Sequence, residues 1–106
     1  MSESALGAVL DDFAVELGGI ERTTAGNGTT WSRGDRAFAI REGARVELRL
    51  DRTVADAALR TPDTEPSSRG PEWVRYTPAS LEGHDLDRLE AWFEVAFRRA
   101  APSPRT

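Results

Sequence analysis

Apolar residues recur along this chain with two different periods, and the changes of period mark its elements. Leu6, Val9, Leu10, Phe13 and Leu17 fall at helical spacing with Asp11, Asp12 and Glu16 off the stripe. That spacing predicts an amphipathic helix from about Glu3 to Leu17, stopped by Gly18 and Gly19. Alternation then takes over. Ile20 to Thr24, rich in β-branched residues, predicts a short first strand; the AGNG string of Ala25 to Gly28 is turn chemistry, and Thr29 to Arg33 predicts a second strand. Gly34 and Asp35 suit a two-residue turn that sets Trp31 opposite Phe38.

The clearest alternation is in Arg36 to Leu50, RAFAIREGARVELRL, which reads as a hairpin joined through Gly43. Phe38 and Ile40 share one face of the first arm, and Val46, Leu48 and Leu50 share one face of the second. A loop of Glu42, Gly43 and Ala44 places Ile40 opposite Val46 and Phe38 opposite Leu48, so a single apolar face is preserved. On the other face the same register sets Arg41 across from Arg45, a like-charge pair, with Ala37 and Ala39 as a shallow floor.

Beyond Leu50, Asp51 is placed to cap a short helix through about Arg60, with Val54, Ala58 and Leu59 inward and Pro62 as its stop. Thr61 to Pro71, TPDTEPSSRGP, predicts a loop. Glu72 to Thr77 predicts a last strand, its phase left open between Val74 with Tyr76 and Trp73 with Arg75. Asp85 then opens a final helix in which Leu86, Leu89, Phe93, Ala96, Phe97 and Ala100 form a broad stripe flanked by Trp92. Asp85 and Asp87 at its start and Arg98 and Arg99 at its end complement the helix dipole. Residues 102–106 read as a tail. The expected fold is a single α+β domain over 1–101, with a mainly antiparallel sheet of four or five strands and its first and last helices packed on the side of Phe38, Ile40, Val46 and Leu48.

Composition narrows the chemistry. The 106 residues include no cysteine, which excludes disulfides and thiolate sites and makes a cytoplasmic setting the expectation. The start MSESALG lacks the basic and long apolar segments of a secretory signal, and there is no apolar run near the length of a membrane span. All 14 cationic residues are arginine, so Schiff-base chemistry and a phosphate-loop lysine are absent. A net charge of -4 opposes sequence-blind nucleic-acid binding.

The order of features resembles the uncharacterised bacterial "luciferase domain" family. It runs through the glycine pair after the first helix, Trp31 before a turn, the hairpin with its VELRL strand, a short helix ending at a proline, Trp73-Val74 opening a strand, and an apolar last helix. The resemblance covers roughly residues 17–100 and implies no light emission. More distantly the chain is similar to the YjbR-like and TfoX N-terminal domains, a likeness that implies a DNA-binding role. The family usually carries a histidine in the strand corresponding to Phe38–Arg41, and this chain does not.

Among candidate sites, the open sheet face stands first. Arg41, Arg45 and Arg49, with Trp73 and Arg75, are expected on the side the helices leave uncovered. Arginine forks grip carboxylates and phosphates, and an indole stacks beside them. The expected partner is an anionic small molecule or an acidic protein surface. The alternative is a nucleic-acid-binding module with a wing-like hairpin, and the structural reading of the same face is a solvated one in which Glu47 pairs with its neighbours. His84 with Asp85 and Asp87 is too sparse for a metal site, and Ser32, Ser67, Ser68 and Ser80 lie in no nucleophile motif, so neither a cofactor nor catalysis is expected. Arg33-Gly34-Asp35 is read as a turn. Trp73 and Trp92 are expected at a pocket mouth or subunit contact, and a homodimer through the exposed strand edge or Trp92 is consistent with this pattern.

Overall fold

The computed structural model describes residues 3–26 and 28–101, with side chains from Ala5 onward. Asn27, within the turn expected at Ala25 to Gly28, and the tail at 102–106 lie outside the described residues. Among the described residues there are three helices and one six-stranded sheet, in the order α1 (Glu3–Leu17), β1 (Glu21–Ala25), β2 (Gly28–Arg33), β3 (Arg36–Glu42), β4 (Arg45–Arg49), α2 (Arg52–Ala58), β5 (Thr64–Pro66), β6 (Trp73–Tyr76) and α3 (Gly83–Arg99). This is the expected α+β domain. All pairings are antiparallel, in spatial order β1-β2-β3-β4-β6-β5. No helix of the described residues is long and apolar enough to cross a membrane.

The register of the central hairpin differs from the expected one, and the two turns that flank β3 explain why. Ala39 faces Leu48, Ile40 faces Glu47, Arg41 faces Val46 and Glu42 faces Arg45, so the turn is the two residues Gly43 and Ala44. Within this turn only Gly43 has positive φ, at 63°, just as Gly34, at 64°, leads the preceding Gly34-Asp35 turn. Glycine at the first central position is the type II′ pattern, whose twist matches that of paired strands. The two turns impose opposite phases on β3. Counted from Trp31 through Arg33 and Arg36, even-numbered residues face the helices; counted from Leu48 and Val46, odd-numbered ones do. A bulge resolves the conflict: Trp31 pairs with Ala39 and Ser32 with Ala37, leaving Phe38 as the extra residue. Phe38 and Ala39 are consequently both fully buried. Ile40 therefore moves to the open face and Arg41 to the helix side, reversing the assignment of both.

The core lies between that sheet face and the two long helices. Leu6 and Leu10 of α1, Leu89, Phe93 and Ala96 of α3, and Trp31, Phe38, Val46, Leu48, Val74 and Tyr76 of the sheet are buried. The phase of β6 is thereby fixed, with Val74 and Tyr76 inward. Phe93 is the hub, with ring centroids 5.3 Å from Phe38, 5.7 Å from Phe13 and 6.1 Å from Trp31 in tilted or edge-on contacts. Arg33 closes this end of the core, its guanidinium 4.0 Å from the Phe97 ring centroid and donating to the Phe97 carbonyl at 3.1 Å.

The shorter elements hold the far side of the sheet. Asp51 caps α2, its Oδ1 accepting from the Val54 N–H at 3.0 Å. Ala55 and Ala58 are its buried residues, whereas Leu59 is exposed. At α3 the expected cap is corrected. The helix begins at Gly83 after Glu82, and Asp85, in its first turn, instead accepts from the Ser80 hydroxyl and pairs with Arg88. The segment expected to be loop throughout contains β5, which pairs with β6 at the sheet edge.

Candidate functional site

The expected arginine face is divided by the register. Arg45, Arg49, Trp73 and Arg75 do project from the uncovered face, since Arg49 pairs with Trp73 and Glu47 with Arg75 in the same alternation. Arg41 does not. It lies in the helix-side row Thr29–Arg41–Val46–Tyr76, donating to the Gly43 carbonyl at 2.9 Å and to the Thr29 hydroxyl at 3.4 Å. The α1 backbone passes over it, for a Cβ on Gly7 would stand 3.3 Å from Arg41 Nε. No Arg41–Arg45 apposition exists, because Arg45 faces Glu42. Of the floor, Ala37 remains outside, while Ala39 is buried under the helices.

The centre of the open face is occupied by a carboxylate network. Glu47, only 4% exposed, accepts from the Ser67 hydroxyl at 2.6 Å, from Arg69 Nε at 2.6 Å, and from Arg75 Nε and Nη2 at 3.3 Å each. Arg75 also approaches Glu65 of β5 at 3.8 Å. Burial pushes the Glu47 carboxyl up, but the Ser67 bond and the Arg69 and Arg75 guanidinium groups outweigh it, so the group sits below the ordinary carboxylate value. Glu47 thus binds its neighbours, and Arg75 serves that network.

Ser67 and Arg69 come from the segment between β5 and β6, whose folding makes the site. The Arg69 N–H donates to Ser67 Oγ, the Gly70 N–H reaches the Ser67 carbonyl, and the Trp73 N–H reaches the Gly70 carbonyl. Gly70 has φ 142°, a conformation that residues with a Cβ rarely adopt, and it turns the chain back toward β6. The result is a cleft of about 220 Å³ lined by Arg49, Arg52, Arg69, Gly70, Pro71, Glu72 and Trp73. Three strand and helix positions meet the folded loop there. Arg49 and Trp73 are cross-strand partners, Arg52 begins α2, and the Arg69 guanidinium lies 5.8 Å from the Trp73 ring centroid.

Each arginine of the cleft has a protein carboxylate, but on unequal terms. Arg69 is committed to Glu47 at 2.6 Å, and Arg49 reaches Glu72 at 3.4 Å. Glu72 is itself gripped by Arg99 from α3, which chiefly, together with Arg49, holds its carboxyl below the usual range. Arg52 has only Asp56, 3.7 Å away one helical turn on, with both side chains more than half exposed. Such a pair is weak, leaving Arg52 free to turn to another anion. The lining itself presents three guanidinium groups and one carboxylate, with the counter-charges Glu47 and Asp56 set outside it, in a chain of net charge -4.

Reading the sequence found two of these residues, Arg49 and Trp73, and missed Arg52, Arg69 and Glu72. An arginine bracketed by glycine and two prolines in a segment that already read as a loop, PSSRGP, was the available signal. His84, Asp85 and Asp87 do not gather, and among the described residues no group of three or more His, Cys, Asp or Glu side chains could hold a metal ion. Trp92 stands half-buried, edge-on to Tyr76 at 5.1 Å. Compared with known proteins, the chain matches no family model, no curated protein and no solved structure.

Proposed function

We propose that this protein is a non-enzymatic binding domain, and that the Arg49–Arg52–Arg69–Trp73 cleft takes the carboxylate or phosphate group of a small anionic ligand. The observation that carries this reading is the arginine-rich lining of the cleft beside an indole face, with Arg52 only weakly paired, in an acidic chain. Guanidinium forks and an adjacent aromatic ring supply bidentate hydrogen bonds and a stacking surface. Its volume is below that of sites for drug-sized ligands, which suits a compact anion. Arg69 is held by Glu47 and so is fixed in advance, whereas Arg52 is the mobile arm that would close on the ligand. The cysteine-free composition supports a cytoplasmic setting for this binding. The resemblance to the luciferase-domain family, itself uncharacterised, adds no chemistry beyond this.

Thermal shift against inorganic phosphate, citrate and short duplex DNA, at two salt concentrations, tests the proposal. A rise in Tm with phosphate or citrate, abolished in Arg49→Ala/Arg52→Ala and kept in Arg45→Ala, is the expected result. Arg45 is the control because it lines a different hollow, with Glu42, Gly43, Ala44 and Thr77 at the hairpin tip. No shift with either anion would overturn the proposal. A shift with DNA alone that falls steeply with salt would replace it with the nucleic-acid reading.

A further inference from the structure

The two edges of the sheet are unequal. The β5 edge is three residues long and ends in Pro66, which has no N–H to offer. The β1 edge is five residues, ERTTA, all exposed and without proline, and its regular register with β2 has no bulge. An unpaired regular edge of this kind is a template for another strand. Beside it, on the helix side, lies a hollow of about 360 Å³ lined by Asp11, Ala14, Val15, Gly18, Gly19, Ile20, Arg22 and Trp31. Val15, on its rim, is 80% exposed, the most exposed large hydrophobic among the described residues.

We propose that the protein forms a two-fold dimer in which β1 pairs antiparallel with β1 of a second copy, with Thr23 at the dyad. An axis perpendicular to the sheet keeps both helix layers on one side, so the two α1 helices meet across it and each Val15 is covered. A second copy accounts for both features, since its β1 satisfies the edge and its α1 comes to stand beside Val15. Charge selects the register. Directly opposed residues must face the same way, and Glu21, Thr23 and Ala25 face away from the helices while Arg22 and Thr24 face toward them. Centring on Thr23 sets Glu21 opposite Ala25 and Arg22 opposite Thr24, engages all five residues, and puts no like charges together. Centring one residue earlier would oppose Arg22 to itself. Arg22 already pairs with Asp11 at 2.9 Å, and the two exposed Glu21 carboxylates, each opposite Ala25, stand at opposite ends of the seam.

The absence of native cysteine allows disulfide trapping at chosen positions. Opposed residues in an antiparallel pair have Cα atoms about 4.5 to 5.5 Å apart, within disulfide reach. Mild oxidation of Thr23→Cys should give a covalent dimer in high yield, Ala25→Cys should give little, and Val15→Arg in the Thr23→Cys background should lower the yield severalfold. In parallel, light scattering of the cysteine-free protein should show a mass rising toward twice the monomer with concentration, and Val15→Arg should remain monomeric with an unchanged Tm. A monomeric mass at the highest attainable concentration would overturn the proposal. So would a dimer indifferent to Val15→Arg with no preference for Cys at position 23, which would place the contact elsewhere.

Discussion

Replacing Glu47 with glutamine should destabilise the domain more than any other single change on the open face. The amide keeps an oxygen for the Ser67 hydroxyl but loses both ion pairs, at 2.6 Å to Arg69 and 3.3 Å to Arg75. Removing one partner of a fully buried pair costs about 3 to 5 kcal/mol. Here the side chains left behind are 40% and 24% exposed, so water recovers part of the loss. The expected cost is therefore about 2 kcal/mol, from roughly 1 kcal/mol for each charge-assisted bond after solvent screening. At roughly 5 °C per kcal/mol for a domain of this size, Tm should fall by about 10 °C in calorimetry or circular dichroism. Arg69→Ala, which removes the more exposed partner, should cost less than Glu47→Gln. A loss below about 0.5 kcal/mol would show that the Glu47 carboxylate is effectively solvated and would refute the reasoning. The same network sets an acid limit. Because the folded-state value of Glu47 lies below its ordinary 4.5, its contribution is complete above pH 4.5 and is lost as pH falls through the folded value. Wild-type stability should decline below pH 4.5, and the decline should be shallower in Glu47→Gln.

Phe93→Ala removes the ring on which Phe13, Trp31 and Phe38 converge, and should cost about 3 to 5 kcal/mol by denaturant unfolding. Asp51→Ala removes the side-chain cap of α2 and should cost about 1 kcal/mol, with Asp51→Asn nearly neutral. Tyr76 is the one tyrosine, and burial of its phenol raises its ionisation above the ordinary 10.0, so the folded form is favoured below pH 10 and that advantage is lost above it. With no lysine in the chain, phenolate absorbance should appear above pH 10 together with alkaline unfolding; a rise at pH 10 in folded protein would contradict the buried placement.

Most of the fold was legible because burial is periodic. The stripes of α1 and α3 and the Val46–Leu48–Leu50 alternation each name their inward face, and these elements form as the pattern requires. Ile40 and Arg41 were misplaced because alternation inside a strand cannot show where one residue is added. Only the conflict between the Gly34 and Gly43 turns, both known to favour two residues, could have revealed the bulge at Phe38. Arg49 and Trp73 were found because strand parity places them. Ser67, Arg69 and Arg52 were not, since their approach to Glu47 and Trp73 depends on how Gly70 folds a segment without periodicity. The charge of Glu47 gave no sign that it would be buried; its partners lie 20 and more residues away in sequence.

The most direct test of the cleft is the indole N–H resonance of Trp73. The three tryptophans give three such signals, and Trp73→Phe identifies the one of interest. On titration with phosphate or citrate, the Trp73 signal should move saturably while those of Trp31 and Trp92 stay fixed, and Arg49→Ala/Arg52→Ala should abolish the movement. A fixed Trp73 signal, or equal movement of all three, would contradict an anion seated at the Arg49–Arg52–Arg69 cleft.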